Sequence, residues 1–225
     1  MFKKILAATE RVELCDAPVL TALKIARKNN AELSILHVLE SDATKDRRFV
    51  KNFRTGENIY TSTDYEETVK EEIHRSCASI LKFGVPHAIK VTPGFPWKEI
   101  LRLARKERTD LIVLGPHTDL SHKLGVLRVI GRVGSTVQEV IKHEPCPVMI
   151  SNHTIPEEKL EFKKIMVGID FSESCKSALL FAMKLAQTHA SKIFVFHMAP
   201  VPPSPQYTQA DYHKDISRLK KKLDD

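Results

Sequence analysis

No stretch of this 225-residue chain approaches the ~20 consecutive apolar residues that a membrane span requires. The opening residues, Met1-Phe2-Lys3-Lys4-Ile5-Leu6-Ala7-Ala8-Thr9-Glu10, reach an acidic side chain before a signal-type apolar core can form, which predicts a cytoplasmic location. The chain has only four cysteines, Cys15, Cys77, Cys146 and Cys175, and none lies in a CxxC pair, so neither a zinc knuckle nor a thioredoxin-like motif is present. In a reducing cytoplasm all four are expected to be thiols. Eight glycines and twelve prolines are too few for a collagen-like or low-complexity chain. Signatures of catalysis are also missing: no G-x-S-x-G elbow, no Walker G-x-x-x-x-G-K-S/T, no kinase set and no H-E-x-x-H.

What is present is a globular composition. Apolar residues make up 42% and charged residues 28%, enough apolar content for a core and too much for a disordered chain. Lys and Arg number 35 against 28 Asp and Glu, a formal charge of +7. The length is awkward, being long for one domain and short for two equal ones.

An internal repeat resolves the length. Residues 2–37 (FKKILAATERVELCDAPVLTALKIARKNNAELSILH) align without a gap with residues 162–197 (FKKIMVGIDFSESCKSALLFAMKLAQTHASKIFVFH), at a constant spacing of 160. Phe2, Lys3, Lys4, Ile5, Glu13, Cys15, Leu20, Ala22, Lys24, Ala26 and His37 all recur, and Glu10 is matched by Asp170. Two copies of one unit are therefore expected.

Within the first copy, Lys4–Thr9 reads as a buried strand, and Asp16 can cap a helix carrying Val19, Leu20, Leu23, Ile25 and Ala26. Leu33–Leu39 reads as the next strand. A helix over 66–83, a strand over 88–91, a helix over 97–107, a strand over 111–114, a helix over 135–143 and a strand over 147–151 complete the pattern. Strands alternating with helices predict an α/β fold, a doubly wound five-stranded parallel sheet with helices on both faces. Residues 1–151 are thus expected to form a complete domain and polar residues 152–161 a linker. Residues 162–225 read as a truncated second copy, with strand, helix and strand, a Pro-rich loop at 200–205 and a basic helix over 211–223. This copy lacks a counterpart of about 66–151, so its open edge and apolar face are expected to be covered by a partner chain or an exchanged segment.

These residues resemble the universal stress protein family in its tandem form. The resemblance rests on K-K-I-L/M at the strand start, D-F-S at 170–172, His37-Val38, G-F-P-W-K-E-I at 94–100, D-L-I-V-L-G at 110–115, and Gly134-Ser135 followed by H-E-P-C-P-V at 143–148. It covers 1–151 and 162–198. It implies a fold shared with adenine nucleotide alpha hydrolases, an adenine nucleotide such as ATP bound in some members, and dimerisation through the last strand, here Val148 and Ile150. No metal is implied beyond the magnesium that accompanies a nucleotide. The related adenylating enzymes of similar fold carry an S-G-G-x-D-S phosphate loop, and this chain has none.

In nucleotide-binding members the phosphate loop resembles G-x2-G-x9-G-S/T, in which glycines admit phosphate oxygens to backbone N–H groups and a helix N-terminus adds favourable partial charge. Carried over residue by residue, the resemblance places Gly115, Thr118, Gly134, Ser135 and Thr136 on the phosphates, and Glu10 and Val38 on the adenosine side. Thr118 stands where the second glycine belongs. The intervening segment 119–133 is longer than the family's nine residues, and contains Gly125, Gly131, His122, Lys123, Arg128 and Arg132. The family's D-x-S survives as Asp170 and Ser172 in the second copy, whereas Glu10 and Val12 occupy those places in the first.

Other features have ordinary structural roles as the simpler reading. Residues 45–54 (KDRRFVKNFR) interleave cations and aromatics, a composition suited to nucleic acid, but such runs more commonly solvate a mobile loop. Nucleic-acid binding is accordingly not expected. His37 and His197 recur as repeat equivalents and read as structural, His117 and His122 flank a loop, and no metal site is expected. Cys146 reads as a packed thiol and Trp97 as a packing residue at the start of a helix. The leading functional reading is a stress-response protein with a binding or regulatory role, not an enzyme. A nucleotide-free dimerising module is the rival, and a weak ATPase is a third reading, for which no positioned base stands out.

Overall fold

The computed structural model describes residues 1–41, 49–82, 84–116, 134–144, 146–153, 161–199, 206 and 208–224. The chain divides into two compact units, Met1–Leu160 and Glu161–Asp225.

In the first unit the strands are β1 (Lys4–Thr9), β2 (Glu32–Glu40), β3 (Phe49–Lys51), β4 (Asn58–Tyr60), β5 (His87–Gly94), β6 (Leu111–Leu114) and β7 (Val148–Ile150). The helices are α1 (Ala17–Asn29), α2 (Thr63–Leu81), α3 (Pro96–Glu107) and α4 (Ser135–His143). Five strands form one parallel sheet in the order β5-β2-β1-β6-β7. The first strand is central, and the chain winds outward from it to one side and then the other, which makes the fold doubly wound.

Local chemistry explains where these elements start and stop. The Asp16 carboxylate accepts the backbone N–H of Val19, Pro18 follows in the first turn, and α1 ends at Asn30 in the left-handed region (φ 51°). The Ser62 hydroxyl accepts from the Tyr65 N–H, so α2 begins three residues earlier than the apolar pattern alone indicates. Val69, Ile73, Cys77 and Leu81, four residues apart, form the buried stripe of α2. Between the sheet and the helices α3 and α4, Leu6, Leu36, Ile112 and Leu114 pack with Ile100, Leu101, Leu103, Ala104, Val137 and Val140.

Two expectations are corrected. Cys15 and Cys77 are not thiols but a disulfide, with Cα atoms 5.0 Å apart. The fold brings the residue ahead of α1 against the stripe of α2, inside the separation a disulfide spans. Cys146 and Cys175 are free. The segment after β2 is also not simply a loop: from Phe49 it is the antiparallel hairpin β3–β4, tied to the end of β2 by a bridge between Ser41 and Val50. Phe49 packs on Tyr60 with ring centroids 4.0 Å apart and Phe53 lies 6.3 Å from Tyr65, so both aromatics are engaged in packing.

The second unit contains β8 (Lys164–Ile169), α5 (Glu173–His189), β9 (Lys192–His197) and α6 (Gln209–Asp224). Strands β8 and β9 are parallel from Lys164↔Lys192 to Ile169↔His197. That is the register of β1 and β2, Lys4↔Glu32 to Thr9↔His37, repeated 160 residues later. Met166 and Phe196 are 72% and 48% exposed, whereas their repeat counterparts Leu6 and Leu36 are 0% and 1% exposed. No described helix is long and apolar enough to cross a membrane.

Candidate functional site

In a doubly wound sheet the crevice for a ligand lies beyond the carboxyl ends of the strands, where the winding reverses. Here that point falls between β1 and β6. The register Ala7↔Val113 brings Thr9–Glu10 and Gly115–Pro116 to the same edge, and Thr9↔His37 adds the end of β2 beside them. The N–H of Gly134 donates to the carbonyl of Pro116 at 3.2 Å, which fixes the start of α4 at the end of β6. The topology therefore gathers Glu10, Val38, Gly115, Gly134, Ser135 and Thr136 at one end of the sheet. Thr118, together with His117, His122, Lys123, Gly125, Arg128, Gly131 and Arg132, lies outside the described residues.

The two helices that start here differ. The N-terminus of α1 is closed by the Asp16 carboxylate. That of α4 has Gly134 as its cap residue, with no side-chain cap bond, so the first-turn N–H groups of Ser135 and Thr136 have no side-chain acceptor from the cap. Ser135 is exposed and Thr136 half-buried. Such a terminus attracts anions through its N–H groups and its dipole. A Cβ built on Gly115 would meet Pro18 Cγ at 3.5 Å, an ordinary contact, so packing does not demand glycine there. The residues present thus suit a phosphate group against α4.

The first loop is organised by Asp16. Its Oδ2 faces the Thr9 hydroxyl at 2.9 Å and the Glu10 N–H at 3.4 Å. Burial raises the Asp16 carboxyl above its usual range, partly offset by the Thr9 hydroxyl. Glu10 is exposed, Val12 is buried, and Val38 packs partly buried against the core. His37 is buried, and its Nδ1–H donates to the Thr9 carbonyl at 3.0 Å; burial lowers its basicity. His197 makes the same contact to Ile169 at 2.8 Å. The periodic pattern marked these histidines as equivalent but gave no sign of their carbonyl partners.

In the second unit the Asp170 carboxylate accepts the Ser172 N–H at 2.9 Å and faces the Cys175 thiol at 2.8 Å, and these bonds bring its acidity to about 2. Trp97 is partly buried against the core and stacks on His143 at 5.9 Å. Cys146 packs against the same core, and burial, with Glu144 and Asp110 adding to it, pushes its thiol up to about 12. Among the described residues no three His, Cys, Asp or Glu side chains are grouped to hold a metal ion.

A profile of the universal stress protein family matches residues 1–152 and 161–225. The chain belongs to the universal stress protein family. Its second match corresponds to the partial second copy. A universal stress protein of Methanocaldococcus jannaschii is 27% identical over 150 residues, which cover 67% of this chain and 82% of that protein. Universal stress protein YxiE of Bacillus subtilis is 27% identical over 158 residues, covering 67% of this chain and 99% of that one. The crystal structure of a universal stress protein from Archaeoglobus fulgidus covers 96% of this chain and 73% of its own, at 18% identity and a TM-score of 0.57, and supports the fold.

Proposed function

We propose that this universal stress protein has a binding or regulatory role in the cytoplasmic stress response, exerted through ATP or another adenine nucleotide held by the complete copy, 1–151. The partial copy, 162–225, follows the linker 152–161. Glu10 and the backbone at Val38 take the adenosine side; Gly115, Thr118, Gly134, Ser135 and Thr136 take the phosphates. Magnesium would accompany the phosphates and neutralise part of their charge. The observation that carries this reading is the pairing of two differently finished helices at one switch point. Asp16 occupies the N-terminus of α1, while α4 opens on Gly134, tied to the end of β6. The carboxylate of Glu10 can accept ribose hydroxyls but would repel phosphate, which orients the nucleotide with its phosphates toward α4.

The test is thermal unfolding of the full chain with ATP, AMP or no ligand. Nucleotide at about 100 times its Kd stabilises by about 2.7 kcal/mol. ATP should raise the midpoint more than AMP. No shift with either at millimolar concentration would remove the nucleotide reading.

A second reading, a dimerising module acting through the last strand, is favoured by the place of β7 at the end of the strand order among the described residues and by Ile150 and Ile141, 40% and 50% exposed. Light scattering of the full chain and of Ile150→Lys separates the two: a dimer lost in the variant supports it, and a wild-type monomer excludes it.

A further inference from the structure

We propose that Cys15 and Cys77 form a reversible thiol–disulfide latch that holds the loop from Glu10 to Asp16 at the rim of the switch-point crevice. Its effect on ligand affinity rests on the nucleotide reading above; its effect on the loop does not.

Three observations carry the proposal. First, the bridge joins two parts of the unit that are 62 residues apart, the loop ahead of α1 and the buried face of α2. Cys15 immediately precedes Asp16, whose carboxylate holds both the Thr9 hydroxyl and the Val19 N–H. Cys77 belongs to the buried stripe of α2 with Val69, Ile73 and Leu81. The loop therefore has one covalent anchor to a helix that is otherwise remote from it in sequence. Second, the loop has little apolar anchorage of its own. Val12 is buried, but Glu10, Arg11, Glu13 and Leu14 are exposed, Leu14 to 53%. Besides the bridge, the burial of Val12, the Asp16 hydrogen bonds and the bond from the Thr9 hydroxyl to the Arg11 carbonyl help to hold it. Third, the repeat supplies an internal comparison. Cys175 occupies the position of Cys15 in the second unit and is a free thiol facing Asp170 instead of a bridge. The strand-to-helix turn is built there without a disulfide, so the bridge is not needed to make the turn.

The two cysteines differ in residue exposure. Cys15 is 9% exposed and Cys77 1%. A low-molecular-weight thiolate attacks Cys15 Sγ, forms a mixed disulfide there and expels Cys77 as a thiolate, which takes up a proton. A second thiolate then attacks the small-molecule sulfur of the mixed disulfide and releases Cys15, so one protein disulfide and two thiols give two protein thiols and one small-molecule disulfide. Oxidation runs the same exchange backwards, with glutathione disulfide as the co-reactant. In the oxidised chain the loop is held in the arrangement described here, and in the dithiol it samples others. A ligand that requires the ordered loop then binds in proportion to the ordered fraction.

The experiment uses the full chain carrying Cys175→Ser, equilibrated in glutathione buffers from reducing to oxidising, with thiols counted by mass after alkylation. Trypsin cleavage after Arg11 is measured without nucleotide, and ATP affinity in parallel. The expected result is a reversible transition of the Cys15–Cys77 pair within the glutathione range. Cleavage after Arg11 should be about tenfold faster in the reduced chain, and ATP affinity about threefold weaker or more. Cys15→Ser should match the reduced chain in either buffer; should it fail to fold, the reduced wild-type cysteine pair serves the same comparison. A pair that resists reduction in the folded chain, or never closes under oxidising conditions, overturns the latch. So does an Arg11 cleavage rate unchanged by oxidation. If the cleavage rate changes and ATP binds in neither state, the latch stands and the nucleotide reading falls.

Discussion

The Thr9 hydroxyl donates to the Asp16 carboxylate across 2.9 Å, joining the last residue of β1 to the residue that caps α1. The same carboxylate accepts the Val19 N–H, so a single side chain both closes the strand-to-helix turn and starts the helix. Asp16→Ala removes both functions and is expected to cost about 1–2 kcal/mol, whereas Asp16→Asn keeps a competent cap and should cost less.

The same group gives a pH signature. Burial raises the Asp16 carboxyl above the ordinary 3.8. The folded chain then holds this proton more tightly than the unfolded chain. The contribution of Asp16 to stability is greatest below 3.8 and falls as pH rises through the raised value. Urea unfolding between pH 3.5 and about 7 should show this decline in the wild type and a flatter profile in Asp16→Asn. Equal slopes in the two proteins would show that Asp16 ionises alike in both states.

At the other helix, charge separates binding from stability. Ser135 is exposed in the first turn of α4, beside Gly134. Ser135→Glu places a negative charge where the helix dipole favours it, worth about 0.3–1 kcal/mol. The same charge occupies the position proposed for phosphate. The variant should therefore unfold at a slightly higher temperature without nucleotide and lose most of the ATP-dependent shift. A variant that keeps the full shift would place the phosphates away from α4.

Much of this architecture was legible because it depends on short-range pattern. The spacing of 160 predicted that Lys164–Ile169 and Lys192–His197 repeat β1 and β2, and the registers match residue for residue. Asp16 was readable as a cap because a carboxylate three residues before a helical N–H has one obvious use. The disulfide was not readable, since Cys15 and Cys77 meet only after α2 has packed. Nor was the hairpin, because Phe49–Lys51 and Asn58–Tyr60 are each three residues long and carry no alternation to detect. At the site, glycines marked Gly115 and Gly134, but the contact of His37 with the Thr9 carbonyl depends on strand pairing that no local motif encodes.

The two free thiols should differ sharply in reactivity. Both are half-exposed, but burial, reinforced by Glu144 and Asp110, pushes the Cys146 thiol up to about 12, whereas Cys175 faces the Asp170 carboxylate. At pH 8 an alkylating reagent should label Cys175 at least about tenfold faster than Cys146, whose thiolate is scarce. Peptide mapping of the oxidised chain reads this directly. Equal rates would show that the surroundings of Cys146 do not hold its thiol protonated.

The helix ends of the two copies allow a stabilising change. Asn30 and Ala190 are repeat equivalents, and both sit in the left-handed region at φ 51° after α1 and α5. Asparagine tolerates that conformation, but the Cβ of alanine is crowded by the backbone there, at a cost of roughly 1 kcal/mol. Ala190 is exposed and its N–H donates to the Ala186 carbonyl, a bond that glycine keeps. Ala190→Gly relieves the crowding and loses only part of the gain to the greater freedom of the unfolded chain, for a net stabilisation of about 0.5 kcal/mol. Hydrogen exchange of the last turn of α5 should slow in the variant. Asn30→Ala, the reverse change in the first copy, should destabilise α1 by a similar amount, so opposite signs at the two sites would tie the effect to the backbone conformation they share.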